Sequence, residues 1–376
     1  MNRVLTIFGT RPEAIKLAPL ISALRAAPGD LHPLVCVTAQ HRGLLDQVLD
    51  VFSLRPDFDL DLMTPGQTLI QSCSRILAAL EPVFEQSKPA FVLVQGDTTT
   101  TFAGALAAFY RGIPCGHVEA GLRTGDLLQP FPEEANRLLT SRIATLHFAA
   151  TDWAAQNLLR EGVPAETVSV TGNTGIDAVL DVARRLDEGS LTPPLSPQWP
   201  DGKRMVLVTA HRRESFGPGF ERICDALALL SRRPDLHLIY PVHPNPNVRE
   251  LVNRRLAGLS NLTLLDPLDY LSFVNLMRRA HFLITDSGGV QEEGPSLGKP
   301  ILVLREKTER PEAVHAGTVR LVGTSPERIL AESQLLLDDP AEYERRSRVH
   351  NPYGDGRASA RIVELIGKYC KPLRSH

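Results

Sequence analysis

A short apolar run, a glycine or polar turn, then a helix-spaced segment recurs along the chain, and this rhythm restricts the fold to a narrow class. Val4–Phe8 leads into Gly9-Thr10-Arg11-Pro12, followed by Leu17, Leu20, Ile21 and Leu24 at helical spacing. Phe91–Val94 leads into Gln95-Gly96-Asp97 and a threonine-rich helix start holding Phe102, Leu106 and Phe109. Leu34–Val37, Pro114–Val118, Leu146–Ala149 and Val168–Val170 have the same strand character. Continuous apolar strands alternating with helices predict a parallel sheet covered on both faces.

The rhythm stops between Leu186 and Lys203, where Pro193, Pro194, Pro197 and Pro200 predict a surface connection between domains. It resumes with Met205–Thr209, Leu236–Tyr240, Leu262–Leu265, Phe282–Thr285, Pro300–Leu304 and Val319–Val322. A chain of 376 residues is also long for one core. The expectation is an α/β protein of two doubly wound Rossmann-like domains facing across a cleft, the first over residues 1–172 and the second over 173–358. Ligands in such sheets bind beyond the carboxyl ends of the strands, so the turns carry the function.

A net charge of −2 points neither to nucleic acid nor to an anionic membrane surface. Val4–Phe8 is too short for a signal-peptide core or a bilayer span. Cys36, Cys73, Cys115, Cys224 and Cys370 are scattered without a CxxC and read as reduced packing residues of a cytoplasmic protein.

The turns themselves are chemically biased. In Gly9-Thr10-Arg11-Pro12-Glu13-Ala14-Ile15-Lys16, Arg11 precedes a helix and Lys16 lies in its second turn. Cations there oppose the helix dipole unless an anion is shared, so the turn suits a phosphate; the alternative is two solvated charges offset by Glu13. Glu309-Arg310-Pro311-Glu312 repeats the device in the second half, and Asp286-Ser287-Gly288-Gly289 brings backbone amides to another helix start. Three anion-suited turns make a diphosphate the natural ligand.

Four groups stand where proton chemistry could occur. Asp97 and Glu119 end consecutive strands, Glu133 opens a helix after Pro130-Phe131-Pro132, and His211 ends the first strand of the second half. Asp97 reads either as functional or as a helix cap, and Glu133 either as functional or as a dipole complement paired with Arg137. Glu119, within Val-Glu-Ala-Gly, sits poorly in a packed strand and is read as functional, as is His211. Gly294-Pro295-Ser296-Leu297-Gly298 matches a nucleophile pattern, but a helix precedes it and a strand follows, the reverse of a nucleophile elbow. GxGxxG, Walker A, HExxH and His/Cys ligand spacings are missing from the sequence, so neither a nicotinamide cofactor nor a catalytic metal is indicated.

Gly9-Thr10-Arg11-Pro12-Glu13, Gln95-Gly96-Asp97-Thr98, His117-Val118-Glu119-Ala120-Gly121-Leu122-Arg123, Pro132-Glu133-Glu134-Ala135-Asn136-Arg137, His211-Arg212-Arg213-Glu214 and Asp286-Ser287-Gly288-Gly289-Val290-Gln291-Glu292-Glu293 together resemble the bacterial non-hydrolysing UDP-N-acetylglucosamine 2-epimerases. The resemblance runs in order from the N-terminus to about Gly323. It implies a glycosyltransferase B type fold, a cytoplasmic homodimer, and interconversion of UDP-N-acetylglucosamine and UDP-N-acetylmannosamine through elimination of UDP to a glycal and re-addition. It also implies that a last helix within 359–376 returns to the first domain. Asp97, Glu119 and Glu133 match the proton-handling set, with His211 at the diphosphate or as an acid. Arg11, Lys16, Ser287, Gly288, Gly289 and Arg310 match positions holding the diphosphate, Glu293 one gripping the ribose, and Phe273 one packing on uracil.

The chain departs from relatives at Leu268, where a glutamine is common, so uracil would be read there through backbone groups. Some relatives bind a second UDP-N-acetylglucosamine as an activator near the segment matching Gln40-His41-Arg42; this chain keeps those residues as a possible regulatory site but has Gly43 and Gly66 nearby. A hydrolysing relative, a retaining glycosyltransferase, a sugar-nucleotide sensor and a relative acting on a diacetamido uronic acid are the alternatives.

Overall fold

The computed structural model describes residues 2–38, 42–64, 66–212, 216–308 and 310–370. Two compact units emerge: Met1–Ala178 with Tyr353–His376, and Val179–Pro352.

The first unit opens with β1 (Asn2–Phe8), α1 (Arg11–Ala26), β2 (Leu31–Val37), α2 (Arg42–Val51) and β3 (Phe58–Asp59). It continues through α3 (Leu69–Ser87), β4 (Phe91–Gln95), α4 (Thr99–Tyr110), β5 (Cys115–Ala120) and α5 (Glu133–Ile143). β6 (Leu146–Ala149), α6 (Asp152–Arg160) and β7 (Val168–Val170) follow, and α7 (Thr174–Asp187) carries the chain into the second unit. The seven strands lie in the order β3-β2-β1-β4-β5-β6-β7, and every pairing is parallel. Order reverses between β1 and β4, so the turns after β1, β4 and β5 meet at one rim, where such sheets bind ligands. β4 is buried along its whole length, which explains why it reads as an uninterrupted apolar run. Its Val92 and Val94 pack with Leu5 and Ile7 against Ile76 and Leu80 of α3 and the alanines of α4.

The second unit contains β8 (Arg204–Thr209), α8 (Pro218–Leu230), β9 (Leu236–Pro241), α9 (Pro246–Leu256), β10 (Leu262–Leu265) and α10 (Tyr270–Arg279). β11 (Phe282–Thr285), α11 (Gly288–Glu293), β12 (Ile301–Val303), α12 (Pro311–Ala316), β13 (Val319–Leu321), α13 (Pro326–Asp338) and α14 (Pro340–Ser347) complete it. Its six strands run β10-β9-β8-β11-β12-β13, again all parallel, with the reversal between β8 and β11. Val206, Val208, Tyr240, Phe282 and Ile284 form its core with Phe220 and Leu227 of α8 and Ile329 of α13.

The units part within α7, not in the proline-rich stretch, because that stretch is anchored on the second unit. Leu195 N donates to Ser272 Oγ (3.1 Å), Arg279 Nη1 donates to Ser196 Oγ (3.1 Å), and the same guanidinium lies 4.2 Å over the Trp199 ring. β3, only two residues at the sheet edge, carries no apolar run and was not legible in the sequence.

The final helix, α15 (Ala358–Cys370), belongs to the first unit, where it packs on α1 and brings Tyr369 edge-on to Phe91 at 5.6 Å. Its start is capped from a distance in sequence: Asp177 accepts from Ser359 N (2.8 Å) and Ala358 N (3.2 Å). Asp177→Ala should therefore destabilise the first unit by about 1–2 kcal/mol, the usual cost of a lost acidic cap. Thermal or urea unfolding checks this; an unchanged midpoint would mean that α15 is held by packing alone.

Candidate active site

The rim of the first unit is tied together by one buried carboxylate. Glu13, on the first turn of α1, is 2% exposed. Its Oε2 accepts from Thr10 N (2.8 Å) and Gly9 N (3.2 Å), closing a capping box with the Thr10 side chain. Its Oε1 accepts from Thr98 Oγ1 (2.8 Å) and Thr101 Oγ1 (3.3 Å), which stand at the start of α4. Burial pushes the Glu13 carboxyl above its ordinary value despite these donors. Glu13 is thus no surface offset for Arg11 and Lys16; it joins the turn after β1 to the turn after β4. Gly9 is required by space, since a Cβ there would lie 2.2 Å from Thr38 Oγ1 and 2.7 Å from Thr100 Oγ1.

Glu119 stands on β5 beside these turns, with φ at +64°, a left-handed conformation that costs a non-glycine residue energy and recurs at functional sites. The register of β5 against β6 shifts between Val118 and Ala120, so an irregularity in the strand re-aims this side chain. The carboxylate is gripped at both oxygens: Lys16 Nζ lies 2.5 Å from Oε1, and Gln95 Nε2 donates to Oε2. Lys16 was expected at the diphosphate; its ammonium is on the acid.

Asp97 lies at the end of the neighbouring strand. It is not the cap of α4, which is Thr98, accepting from Thr101 N (3.1 Å). Arg137 Nη2 meets Asp97 Oδ2 at 2.5 Å, and Asn136 Nδ2 donates to the Asp97 carbonyl (2.9 Å). Arg137 therefore serves Asp97 and Glu134 (3.5 Å), not Glu133. Glu134, fully buried, closes the loop before α5 by accepting from Thr124 N (3.0 Å) and Gly125 N (3.1 Å). Glu133 opens the same helix, and its Oε2 is buried without a hydrogen-bond partner among the described residues.

His117 supports the rim from beneath. Its Nε2 donates to the Gly96 carbonyl (2.7 Å), its Nδ1 has no partner among the described residues, and burial brings its pKa down to about 3. A neutral ring holds the turn that presents Asp97; a proton on Nδ1 would be a buried, unpaired charge.

The second unit builds a different kind of rim. Asp286, fully buried at the end of β11, accepts from His211 N (2.6 Å) and Arg212 N (2.7 Å) through Oδ2, while Oδ1 lies 3.1 Å from His211 Nδ1. Burial alone would raise this carboxyl; the His211 ring and the backbone donors outweigh it and hold it below its ordinary value. Asp286 thereby orients the His211 ring, which also stacks on His243 at 5.1 Å. Ser287 precedes α11, and its side chain makes no cap hydrogen bond to that helix. The Arg310 guanidinium lies over the same start: a Cβ at Gly288 would come within 2.5 Å of it. Arg310 Nε pairs with Glu292 Oε1 at 2.6 Å, which fixes the cation there. Gly289 and Glu293 follow on α11, the Glu293 carboxylate 3.9 Å from where a Gly289 Cβ would be. Phe273 is half-buried on α10, whose cap is Asp269, accepting from Ser272 N (2.9 Å).

Arg11 is the first residue of α1 and half-buried. Gln40 and His41 lie outside the described residues, as do Arg213, Glu214 and Glu309. Ser296 lies in a turn between α11 and β12, its Oγ accepting from Asn351 Nδ2 (2.6 Å), which is no nucleophile elbow. Cys115 is buried, and burial pushes its thiol up to about 12. The sequence reading missed Glu13, Gln95, His117 and Asp286 as site builders. A polar residue within or just after an apolar strand was the available signal for Gln95, His117 and Asp286.

Two all-parallel sheets of seven and six strands with polar groups at their carboxyl ends place the molecule among the glycosyltransferase-B-like α/β epimerase folds. The UDP-N-acetylglucosamine 2-epimerase family model matches residues 22–367. The chain is 58% identical over 374 residues to a probable UDP-N-acetylglucosamine 2-epimerase of Ralstonia nicotianae, covering 98% of this chain and 100% of that one. It is 57% identical to the UDP-N-acetylglucosamine 2-epimerase of Salmonella typhimurium over 98% of this chain and 99% of the relative. A crystal structure of UDP-GlcNAc 2-epimerase from Neisseria meningitidis bound to UDP-GlcNAc superposes with a TM-score of 0.87 at 47% identity, covering 97% of this chain and 100% of that one. The chain belongs to the UDP-N-acetylglucosamine 2-epimerase family.

The His117 environment has a consequence for stability. The folded state refuses a proton that the unfolded chain accepts near 6.5, so the His117 contribution is complete above that pH and is lost as pH falls toward about 3. His117→Gln should make stability less steeply pH-dependent in that window, by up to about 1.4 kcal/mol per pH unit. Urea unfolding across the window measures it; an unchanged slope would show that His117 is not kept neutral.

Proposed function

We propose that this chain interconverts UDP-N-acetylglucosamine and UDP-N-acetylmannosamine, with the acids of the first unit working on the hexose and the second unit holding the uridine diphosphate. The observation that carries the reading is the set of oriented carboxylates on the first unit's rim, Asp97 and Glu119, with Glu133 opening α5; the second unit separately carries Arg310 beside a helix start without a side-chain cap.

The C2 proton is not acidic enough for direct removal. In the elimination route a carboxylate takes the proton from C2, the C2–H bonding pair becomes the second bond of C1=C2, and the C1–O bond breaks so that UDP leaves with the C1–O bonding pair. Re-addition reverses these changes: an acid delivers a proton to the opposite face of C2 while a diphosphate oxygen attacks C1. One group must act as base and another as acid, which suits Asp97, Glu119 and Glu133. The departing diphosphate gathers charge; Ser287, Gly288, Gly289, Arg310 and Arg11 are assigned to it, with His211 at the diphosphate or as an acid. Glu293 is assigned to the ribose and Phe273 to uracil. Gln40 and His41 are retained as a possible activator site.

Assembly as a homodimer is supported by the exposed apolar side chains Ile70 on α3, Phe109 and Tyr110 on α4, and Leu139 on α5, because α4 packs against both α3 and α5. Among the described residues no helix is long and apolar enough to cross a membrane, and all five cysteines are free, in keeping with a cytoplasmic setting.

Incubation with UDP-N-acetylglucosamine in heavy water should place deuterium at C2 of both UDP-linked epimers, read by NMR. Release of free N-acetylmannosamine would indicate the hydrolysing reaction, and no exchange without an added acceptor would indicate a transferase. Glu119→Gln should abolish exchange and leave UDP affinity nearly intact; a large loss of UDP affinity would contradict its assignment to the hexose. Light scattering should give twice the 41.3 kDa chain mass, falling to one chain with Tyr110→Lys; an unchanged dimer would place the interface elsewhere.

A further inference from the structure

Two side chains around Glu119 are poorly explained by folding alone. Gln95 ends a strand that is otherwise Phe, Val, Leu and Val, and it is 3% exposed. An apolar residue would occupy that position without the cost of burying an amide. Its backbone carbonyl already accepts from Thr101 Oγ1 (2.6 Å), so the side chain is not needed to close the turn. What its amide does is donate to Glu119 Oε2. Lys16 reaches the other oxygen, Oε1, at 2.5 Å, with the side chains only 19% and 7% exposed. An ion pair this desolvated is a costly surface ornament, and removing one partner strands the other charge.

We propose that Lys16 and Gln95 are positioning residues for Glu119, a two-armed clamp in which the ammonium holds the carboxylate ionised and the amide fixes its plane. This removes Lys16 from the diphosphate-binding set and gives Gln95 a role, and it rests on the reading of Glu119 as a proton-handling group. The clamp is complete because each arm comes from a different element, α1 and β4, and the buried Glu13 carboxylate joins the turns at which those elements meet. The left-handed backbone at Glu119 and the register shift between Val118 and Ala120 accompany the carboxylate's placement in the clamp.

Other charged groups on the elements packed around β5 do not replace the clamp. Glu13 on α1 is occupied by four donors, Asp97 beyond β4 is paired with Arg137 of α5, and Glu134 closes its loop. Glu133 opens α5, and Arg123, after β5, pairs with Glu161. His117 on β5 and His147 on β6 are both held toward the neutral form by burial.

The test compares Lys16→Met, Lys16→Arg and Gln95→Leu for solvent-deuterium exchange at C2 across pH, for KM, and for UDP affinity. Lys16→Met should shift the acid limb of exchange upward by about one to three pH units, the effect of losing an adjacent opposite charge, with UDP affinity unchanged. Lys16→Arg should keep the wild-type limb. Gln95→Leu should lower kcat by about ten- to a hundredfold with KM little changed and a smaller shift of the limb, as expected for a misaligned group. UDP affinity that drops about tenfold or more in Lys16→Met with the limb in place would return Lys16 to the diphosphate and overturn the proposal. Wild-type activity in Gln95→Leu would overturn its other half, and this neutral substitution carries the test if thermal melting shows Lys16→Met unfolded. Exchange surviving in Glu119→Gln would instead mean that the catalytic reading itself has failed, separately from the clamp.

Discussion

The buried carboxylate of Glu13 is the contact on which the first rim depends. Parallel strands bring three turns near one another, but a sheet alone leaves each turn to its own loop. Glu13 accepts donors from the turn after β1 and from the start of α4, so Arg11 and Lys16 are referenced to Asp97 and Thr98 through one side chain. The arrangement carries an electrostatic cost: burial works against the ionised form, and four donors are what make it tolerable. His117 does the corresponding work between β5 and the Gly96 carbonyl, as a neutral ring.

The two units divide the labour by charge type. The first unit pairs each of Asp97 and Glu119 with a cation, Arg137 and Lys16, which orients both carboxylates in a mostly buried setting. The second unit reverses the assignment: Asp286 and Glu292 are interior acids that orient His211 and Arg310, leaving ring, guanidinium and helix amides for an anion. Under the proposed function, one sheet edge would supply the proton-handling groups and another the anion stabilisation that elimination of a diphosphate from a sugar requires.

Much of this was legible in the sequence because buried parallel strands read as unbroken apolar runs and their turns carry the polar outliers. Of the first unit's strands, β1 and β4 read most clearly as apolar runs, β2, β5, β6 and β7 as apolar stretches broken by residues such as His117, His147 and Ser169, and β3 not at all; Glu119 stood out because an acid sits poorly in a packed strand. What stayed hidden were the contacts between turns distant in sequence. Glu13 looked like an ordinary first-turn acid, and nothing in its neighbours reveals the hydroxyls at Thr98 and Thr101. Arg137 suggested an i+4 partner, but the preference of α5 for Asp97 is set by how β4 and β5 pair. The parting of the units was likewise displaced from the proline-rich stretch, because Leu195, Ser196 and Trp199 find partners on α10 that composition cannot show.

The most direct measurement is a crystal structure of this protein with UDP-N-acetylglucosamine bound. The hexose ring should lie against Asp97, Glu119 and Glu133, with C2 in contact with a carboxylate and the diphosphate on the Ser287–Gly289 amides and Arg310. A sugar ring held away from all three acids, with the uridine seated elsewhere than on the second unit's rim, would contradict the account.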